Sequence, residues 1–389
     1  MATSVEQFIG WEGLLGEEEV AVRDMTRRFV ADRILPFIVD DFAEGRFRKE
    51  IALELGELGV LGANLTGYGC PGIGHVSYGL ACHELEYGDS GLRSFVSVQT
   101  SLAMYAIWRW GSEEQKNYWL PEMAAGRKIG CFGLTEPNHG SDPGGMLTRA
   151  KRDGDDWLLT GSKMWITSAS IADVAIVWAK TSEDSESMRG FIVEAGSAGL
   201  SAHDIPHKLS MRASSTGGLM LDNVRVPDSA RLPKAEGMRG PLSCLNNARF
   251  GVSWGVLGAA RFCLEKATEY SVERQQWGGP IARKQLVQGQ LAEMISEVVK
   301  ASLLALHYGR LKEQDKLRAP QVSLLKRNNC RIALMCARTA RGLMGGNGIT
   351  GEYHVMRHAM NLESTYTYEG TDEIHSLVLG HALTGERAY

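Results

Sequence analysis

One carboxylate in the sequence stands where it could act on a bound molecule. Glu369 lies between Tyr368 and Gly370, and Thr371-Asp372-Glu373 follows before an apolar helical pattern. A threonine is a good helix N-cap, and acids in the first turn suit the helix dipole. Glycine lets the backbone come close to a ligand. The pattern predicts that Glu369 lies on a short turn before a helix, either as a base or as a solvated charge.

An arginine could hold a second carboxylate. Arg93 follows the glycine-rich stretch Gly88-Asp89-Ser90-Gly91. A guanidinium fork can bind a carboxylate through two parallel hydrogen bonds. The same side chain could instead cap a helix and pair with Glu86 or Asp89. The residues alone leave both roles open for Arg93.

Composition limits the class of protein. The chain has 389 residues, of which 44% are hydrophobic and 23% charged, so it can form two or three domains. Its net charge of -4 implies no large basic surface for nucleic acid. No apolar run approaches the roughly 20 residues of a membrane span. Because no secretory signal is visible either, we expect a bacterial cytoplasmic protein, or a mitochondrial matrix protein in mature eukaryotic form.

The cysteines and histidines do not form a metal pattern. There are seven cysteines, an odd number, and neither C-x-x-C nor H-E-x-x-H occurs. Scattered thiols indicate a reducing compartment. We therefore expect neither a disulfide framework nor a metal site.

Hydrophobic periodicity divides the chain into three parts. Helical patterns fill residues 1–127, short β-rich runs fill 128–236, and long apolar stripes return in 237–389. This predicts a mixed α and β chain with a helical domain, an antiparallel β domain and a second helical domain. One glycine motif, Gly67–Gly72, formally matches G-x-G-x-x-G. It contains Pro71 and follows a helical pattern, so we expect a turn between helices there.

Four motifs resemble the acyl-CoA dehydrogenase family. They are Phe132-Gly133-Leu134-Thr135-Glu136-Pro137-Asn138-His139-Gly140-Ser141-Asp142, Trp165-Ile166-Thr167, Gly342-Leu343-Met344-Gly345-Gly346-Asn347-Gly348 and Tyr366-Thr367-Tyr368-Glu369-Gly370-Thr371. The resemblance runs over about residues 15–389. It implies an α+β fold of the acyl-CoA dehydrogenase type, FAD as cofactor, an acyl-CoA thioester as substrate, an electron-transfer flavoprotein as partner and a homotetramer.

Further stretches resemble the glutaryl-CoA-oxidising branch of that family. These are Arg357–Glu363, Ile374–Gly385 and the pattern Glu-x-x-Asp-Ser-Gly-x-Arg-Ser that begins at Glu86. The resemblance implies dehydrogenation of glutaryl-CoA and decarboxylation to crotonyl-CoA, with Glu369 as base and Arg93 holding the distal carboxylate. Two residues depart from the branch: Leu92 replaces a usual tyrosine, and Tyr389 lies near the usual chain end. The change at Leu92 could alter the width of the pocket, so a related dicarboxylyl-CoA stays open as the substrate.

The resemblance also assigns the remaining site residues. Those implied for substrate are Glu86, Arg93, Ser94, Ser97, Ser141, Asn246, Arg249, Tyr368 and Gly370. Those implied for FAD are Phe132, Leu134, Thr135, Gly140, Ser141, Trp165, Ile166, Thr167, Arg274, Gln285, Gly342, Gly345, Gly346 and Thr371. Without the resemblance, the same residues fit ordinary turns, helix caps, core filling and polar surface.

Several other functions fit the same motifs. An acyl-CoA dehydrogenase for another short-chain, branched or dicarboxylyl thioester is one, and a non-decarboxylating glutaryl-CoA dehydrogenase is another. A flavin oxidase would differ only in its electron acceptor. A non-catalytic protein that binds CoA or flavin belongs to a different class, and the presence of Glu369 argues against it.

Overall fold

The computed structural model describes residues 3–388, apart from the side chain of Ser185. Tyr389, one of the two departures from the resembling branch, lies outside the described residues. A sheet stands between two sets of helices in the chain order, as predicted. No helix within 3–388 is long and apolar enough to cross a membrane. Nor do these residues contain a group of three or more histidine, cysteine or acidic side chains that could hold a metal ion.

The first set of helices precedes the sheet. Its helices are α1 (Val5–Ile9), α2 (Glu17–Arg33), α3 (Ile38–Glu44), α4 (Ile51–Glu57), α5 (His75–Gly88), α6 (Ser90–Ser97), α7 (Tyr105–Trp110) and α8 (Glu113–Ala124). A π-helical segment, Val98–Met104, joins α6 to α7. Ser112 caps α8, because its hydroxyl accepts from the Gln115 N–H at 3.2 Å. Gly67–Gly72 forms a turn, with β1 (Thr66–Gly67) paired to β2 (Cys70–Pro71) between α4 and α5.

Seven strands form the central sheet. They are β3 (Gly130–Gly133), β4 (Arg149–Asp153), β5 (Asp156–Thr167), β6 (Val174–Lys180), β7 (Met188–Glu194), β8 (Leu200–Asp204) and β9 (Thr216–Pro227). Most neighbours pair antiparallel, as predicted, but β3 runs parallel to β6 and β4 meets β6 at one parallel pair. The alternation of apolar residues did not reveal β4 and β8, because both strands are mostly exposed.

Long helices return after the sheet. They are α9 (Arg239–Glu273), α10 (Gln285–Glu313), α11 (Ala319–Leu343), α12 (Val355–Thr367) and α13 (Asp372–Thr384). A small ribbon, β10 (Gln275–Gln276) and β11 (Gly279–Pro280), separates α9 from α10. The predicted stripe on α11 is buried from Val322 to Ala340.

The two sets of helices share one core. Apolar residues of α5 and α6 join those of α9, α11 and α12 in a single buried cluster. Glycines allow the closest approach, since a β-carbon at Gly79 would strike the Trp254 ring and one at Gly258 would overlap the His83 carbonyl oxygen. The close contact of α5 with α9 brings the N-terminal helices to the face of the C-terminal ones, where the site forms.

Gly258→Ala should destabilise the fold, because the added methyl has no room between α9 and α5. Overpacking of this kind costs about 1–3 kcal/mol. The matched control is Gly380→Ala in α13, where a β-carbon meets nothing within 4 Å. A helical glycine in open space should gain roughly 0.5–1 kcal/mol on this change. Equal unfolding midpoints in urea for the two variants would contradict the packing described here.

Candidate active site

Glu369 lies on a left-handed turn between α12 and α13. Its φ is 55° and that of Gly370 is 92°, a conformation that side chains other than glycine adopt at a cost. The predicted N-cap is confirmed, since the Thr371 hydroxyl accepts from the Ile374 N–H at 3.2 Å. The cap and the left-handed step turn the chain sharply, and they fix the direction from which Glu369 leaves the backbone.

The Glu369 carboxylate is poorly solvated. Its Oε2 atom is buried and has no hydrogen-bond partner in the part of the chain that the structure describes. Burial raises the pKa of Glu369 to about 7, although the charges of Arg249, Lys326 and Arg93 act to lower it. A carboxyl group with this pKa can accept and release a proton near neutral pH.

Arg93 lies beside this turn and is 1% exposed. Its Nε donates to Glu86 Oε2 at 2.6 Å, and its Nη2 donates to the Tyr368 hydroxyl. Of the two acids near it in sequence, Glu86 is therefore the partner. Asp89 instead accepts hydrogen bonds from Arg357 and Asn361. The structure thus brings Glu86, Arg93 and Tyr368 together next to Glu369.

Two further predicted residues reach the turn from α9. Arg249 Nε donates to the Glu369 carbonyl at 2.7 Å, and its Nη1 donates to Asn246 Oδ1 at 3.0 Å. Ser94 and Ser97 are buried on α6 with Arg93. Ser141 and Gly140 lie on the exposed turn after β3.

The end of β3 and a bulge in β5 form a second group of predicted residues. The register of β5 against β9 shifts between Lys163 and Ile166, and Met164 N–H there donates to the Thr135 carbonyl at 2.9 Å. Trp165 in the bulge has a φ of 62° and is 58% exposed. The bulge therefore holds an indole outward beside the strand end of Thr135.

The other side chains of this second group differ in exposure. Phe132, Leu134 and Ile166 are buried in the core, so only their backbone can face a ligand. Thr135 and Thr167 are half-buried. The strand end is supported from behind, because Lys163 Nζ donates to the Leu134 carbonyl at 3.1 Å and to Glu136 Oε1 at 2.9 Å.

A third group of predicted residues lies on the surface of the single chain. Arg274 and Gln285 are exposed on either side of the β10–β11 ribbon. Gly342, Gly345 and Gly346 surround the end of α11, where added β-carbons would meet nothing within 4 Å. A left-handed turn is present at Gly345, with a φ of 55°.

Two buried residues near Glu369 were missed by the sequence analysis. Lys326 on α11 is 1% exposed, and His375 on α13 is fully buried with neither ring nitrogen bonded to a described residue. Burial lowers the pKa of His375 to about 3, so its ring is neutral. The spacing of Lys326 could have revealed it, because it lies four residues from both Val322 and Cys330 on the buried stripe of α11.

Comparison with known families gives a match over most of the chain. The N-terminal, middle and C-terminal domain models of acyl-CoA dehydrogenase match residues 16–127, 131–224 and 235–384. The chain belongs to the acyl-CoA dehydrogenase family. It is therefore an oxidoreductase with the predicted fold, and mitochondrial short-chain specific acyl-CoA dehydrogenase of Bos taurus is 32% identical over 96% of this chain and 92% of that protein.

Two solved structures of this family are similar over their whole length. The crystal structure of glutaryl-CoA dehydrogenase from Mycobacterium smegmatis has a TM-score of 0.98 and 56% identity, with 100% of each chain covered. A glutaryl-CoA dehydrogenase from the same organism, solved with FADH2, has a TM-score of 0.98, 53% identity and the same coverage.

The acyl-CoA dehydrogenases depend on FAD, and the residues present here fit that cofactor. The exposed Trp165 indole offers an aromatic face, and the half-buried Thr135 offers a hydroxyl beside it. Both lie on a strand end that Lys163 and Glu136 hold in place. A flat ring system needs such an apolar face with a few polar groups at its edge.

The rate of flavin reduction by substrate should rise with pH through about 7 in this enzyme. Below the raised pKa of Glu369 the carboxyl group is protonated and cannot accept a proton. Stopped-flow measurement of flavin absorbance from pH 5 to 9 checks this expectation. A rate that is already constant above pH 5, close to the ordinary glutamate value, would show that the carboxylate is not desolvated.

Proposed function

We propose that the protein oxidises glutaryl-CoA at its Cα–Cβ bond, releases CO2 to form crotonyl-CoA and passes electrons to an electron-transfer flavoprotein. One observation carries this proposal: Glu369, whose Oε2 is buried and has no hydrogen-bond partner among the described residues, lies next to a buried arginine, Arg93. The first group can take a proton from an acyl chain. The second can hold an anion at the far end of the same chain.

Glu369 acts as the base. The hydrogens next to a thioester are weakly acidic, so their removal needs a positioned base and a polarised carbonyl. The Glu369 backbone N–H donates to no acceptor found within residues 3–388, so it is available to the thioester oxygen. When bound, FAD accepts the β-hydrogen with its electron pair.

Arg93 selects the substrate. A buried guanidinium with one carboxylate partner, Glu86, keeps donors for a second anion. The Tyr368 hydroxyl accepts a hydrogen bond from Arg93 Nη2 and so fixes the orientation of the guanidinium. If the distal carboxylate binds to Arg93, the acyl chain extends away from Glu369. Ser94 and Ser97 lie buried on the same helix as Arg93 and are assigned to the same substrate.

The CoA and FAD contacts follow from the other groups of residues. Asn246 and Arg249 are assigned to the pantetheine chain, with Ser141 at its outer end and Gly370 at the thioester. The flavin ring is assigned to the bulge and strand end, through Thr135, Trp165, Thr167 and the backbone of Phe132, Leu134, Gly140 and Ile166. Thr371, which caps α13, is also assigned to FAD.

Decarboxylation follows from the chemistry of the oxidised chain. Once Cα and Cβ are doubly bonded, loss of CO2 leaves a carbanion that is conjugated with the thioester. Glu369 has just received a proton and can return it. The similarity to two glutaryl-CoA dehydrogenase structures supports this choice. The short-chain relative supports the alternative, oxidation of a monocarboxylic thioester.

Exposed apolar residues support a homotetramer. Trp277, Leu286 and Leu383 are each more than four-fifths exposed in the single chain. Large apolar side chains left in solvent are typical of surfaces that associate. Arg274 and Gln285 lie close in sequence to Trp277 and Leu286. We therefore assign Arg274 and Gln285 to the FAD of a neighbouring subunit. Gly342, Gly345 and Gly346 are assigned to the adenine half of FAD.

Arg93→Gln should separate two substrates. The change removes the charge that binds the distal carboxylate, and a charge-assisted pair is worth about 1.5–3 kcal/mol. The kcat/KM for glutaryl-CoA should fall roughly 10–100-fold. Butyryl-CoA has no distal carboxylate and should lose little. Steady-state assays with both thioesters measure the difference.

The control is Arg127→Gln, which breaks an exposed ion pair with Glu122 far from the turn. This variant should leave the kcat/KM for both thioesters unchanged. If Arg93→Gln lowers the kcat/KM for both thioesters by the same factor, Arg93 only supports the fold. The short-chain alternative then replaces the glutaryl assignment.

Arg274→Ala should release FAD. If Arg274 reaches the cofactor of a neighbour, its loss weakens binding, and thermal stability falls because bound ligand stabilises the folded state. Flavin content after gel filtration and the melting temperature check this. Full flavin content with an unchanged melting temperature would refute the contact. Arg338→Ala, an exposed arginine paired with Glu363, is the control.

A further inference from the structure

Lys326 is a buried cation without an ion pair of its own. It is 1% exposed, and its Nζ forms no ion pair with a carboxylate of the described residues. Burying an ammonium group in this way is costly unless something nearby compensates. The compensation comes from the chain around Glu369.

Lys326 Nζ binds two carbonyls of the catalytic turn. It donates to the Gly370 carbonyl at 2.8 Å and to the Tyr366 carbonyl at 3.4 Å. The Tyr366 carbonyl belongs to the last turn of α12, where carbonyls lack partners within the helix and a cation is favoured by the dipole. Arg249 Nε likewise donates a hydrogen bond to the Glu369 carbonyl. Two cations therefore hold successive carbonyls of the left-handed step.

We propose that Lys326 is a positioning residue for the base, an inference that rests on the proposed function of Glu369. Its two hydrogen bonds fix the backbone that aims the Glu369 carboxylate, and its charge offsets the cost of ionising that carboxylate without touching the substrate. The role differs from that of Arg249, which reaches the turn from α9 and is also assigned to the CoA chain.

Other charged and titratable groups surround the same turn. They are Glu86 on α5, Arg93 on α6, Cys244 and Arg249 on α9, Cys330 on α11, Tyr368 on the turn, and Asp372 and His375 on α13. Asp372 is held by Arg331 at 2.6 Å, and His375 is neutral. Removing Lys326 therefore leaves Arg249 and Arg93 as the cations that still lower the pKa of Glu369.

Lys326→Met tests the proposal, because methionine keeps the length and removes both the charge and the donors. Replacing a buried unpaired cation by an apolar side chain need not destabilise a protein. The variant should retain flavin, yet the pH at which flavin reduction is half-maximal should rise by about one unit or more, a tenfold loss of base at a given pH. Lys326→Arg keeps charge and donors and should recover most of the rate.

An infrared titration gives a readout that does not depend on turnover. The protonated carboxyl band that disappears in Glu369→Gln should persist to higher pH in Lys326→Met. Lys312→Met, which removes a lysine over the Phe250 ring, should leave the band unchanged. If Lys326→Met loses flavin, Lys326→Gln is judged by the same criteria.

The outcomes separate the two claims. The role of Lys326 is overturned if the carboxyl band of Lys326→Met titrates at the same pH as that of the wild-type enzyme. It is also overturned if the rate of flavin reduction in Lys326→Met is within twofold of the wild-type rate. If Glu369→Gln itself still allows rapid flavin reduction, the proposed base is wrong instead.

Discussion

The site depends on one unfavourable arrangement: a carboxylate that is removed from water on a left-handed turn. Glu369 at a φ of 55° costs backbone energy, and its buried Oε2 costs solvation. A solvated glutamate would titrate near its usual pKa of about 4.3 and would be a weak base. The surrounding helices make the arrangement tolerable, because Arg249, Lys326 and Arg93 surround the carboxylate with positive charge.

These three cations come from three helices that are far apart in sequence. Arg93 lies on α6, Arg249 on α9 and Lys326 on α11, and each is buried or half-buried. Their convergence requires the tight packing that Gly79 and Gly258 allow between α5 and α9. The shared core of the two helical sets completes the site, since the C-terminal set supplies the base, Arg249 and Lys326, and the N-terminal set adds Arg93.

The sequence predicted much of this because its signals are local. The cap at Thr371, the turn at Glu369 and the stripe of α11 depend on neighbouring residues, and the structure agrees with them. Side-chain pairs between residues far apart in the sequence could not be predicted from it. Glu86 and Asp89 were equal candidates for Arg93, and only the folded chain directs Asp89 to Arg357. The strand β4 was missed because it is charged and mostly exposed, and Lys326 because a lone lysine suggests solvent.

The most direct measurement of the central claim is single-turnover flavin reduction in Glu369→Gln. The variant keeps the shape of the side chain and removes its ability to accept a proton. Mixed anaerobically with glutaryl-CoA, it should retain a full complement of oxidised flavin, and its reduction should be slower by roughly 10²–10⁴-fold or more. Bleaching of the flavin at nearly the unchanged rate would contradict the account, because another group would then be taking the α-proton.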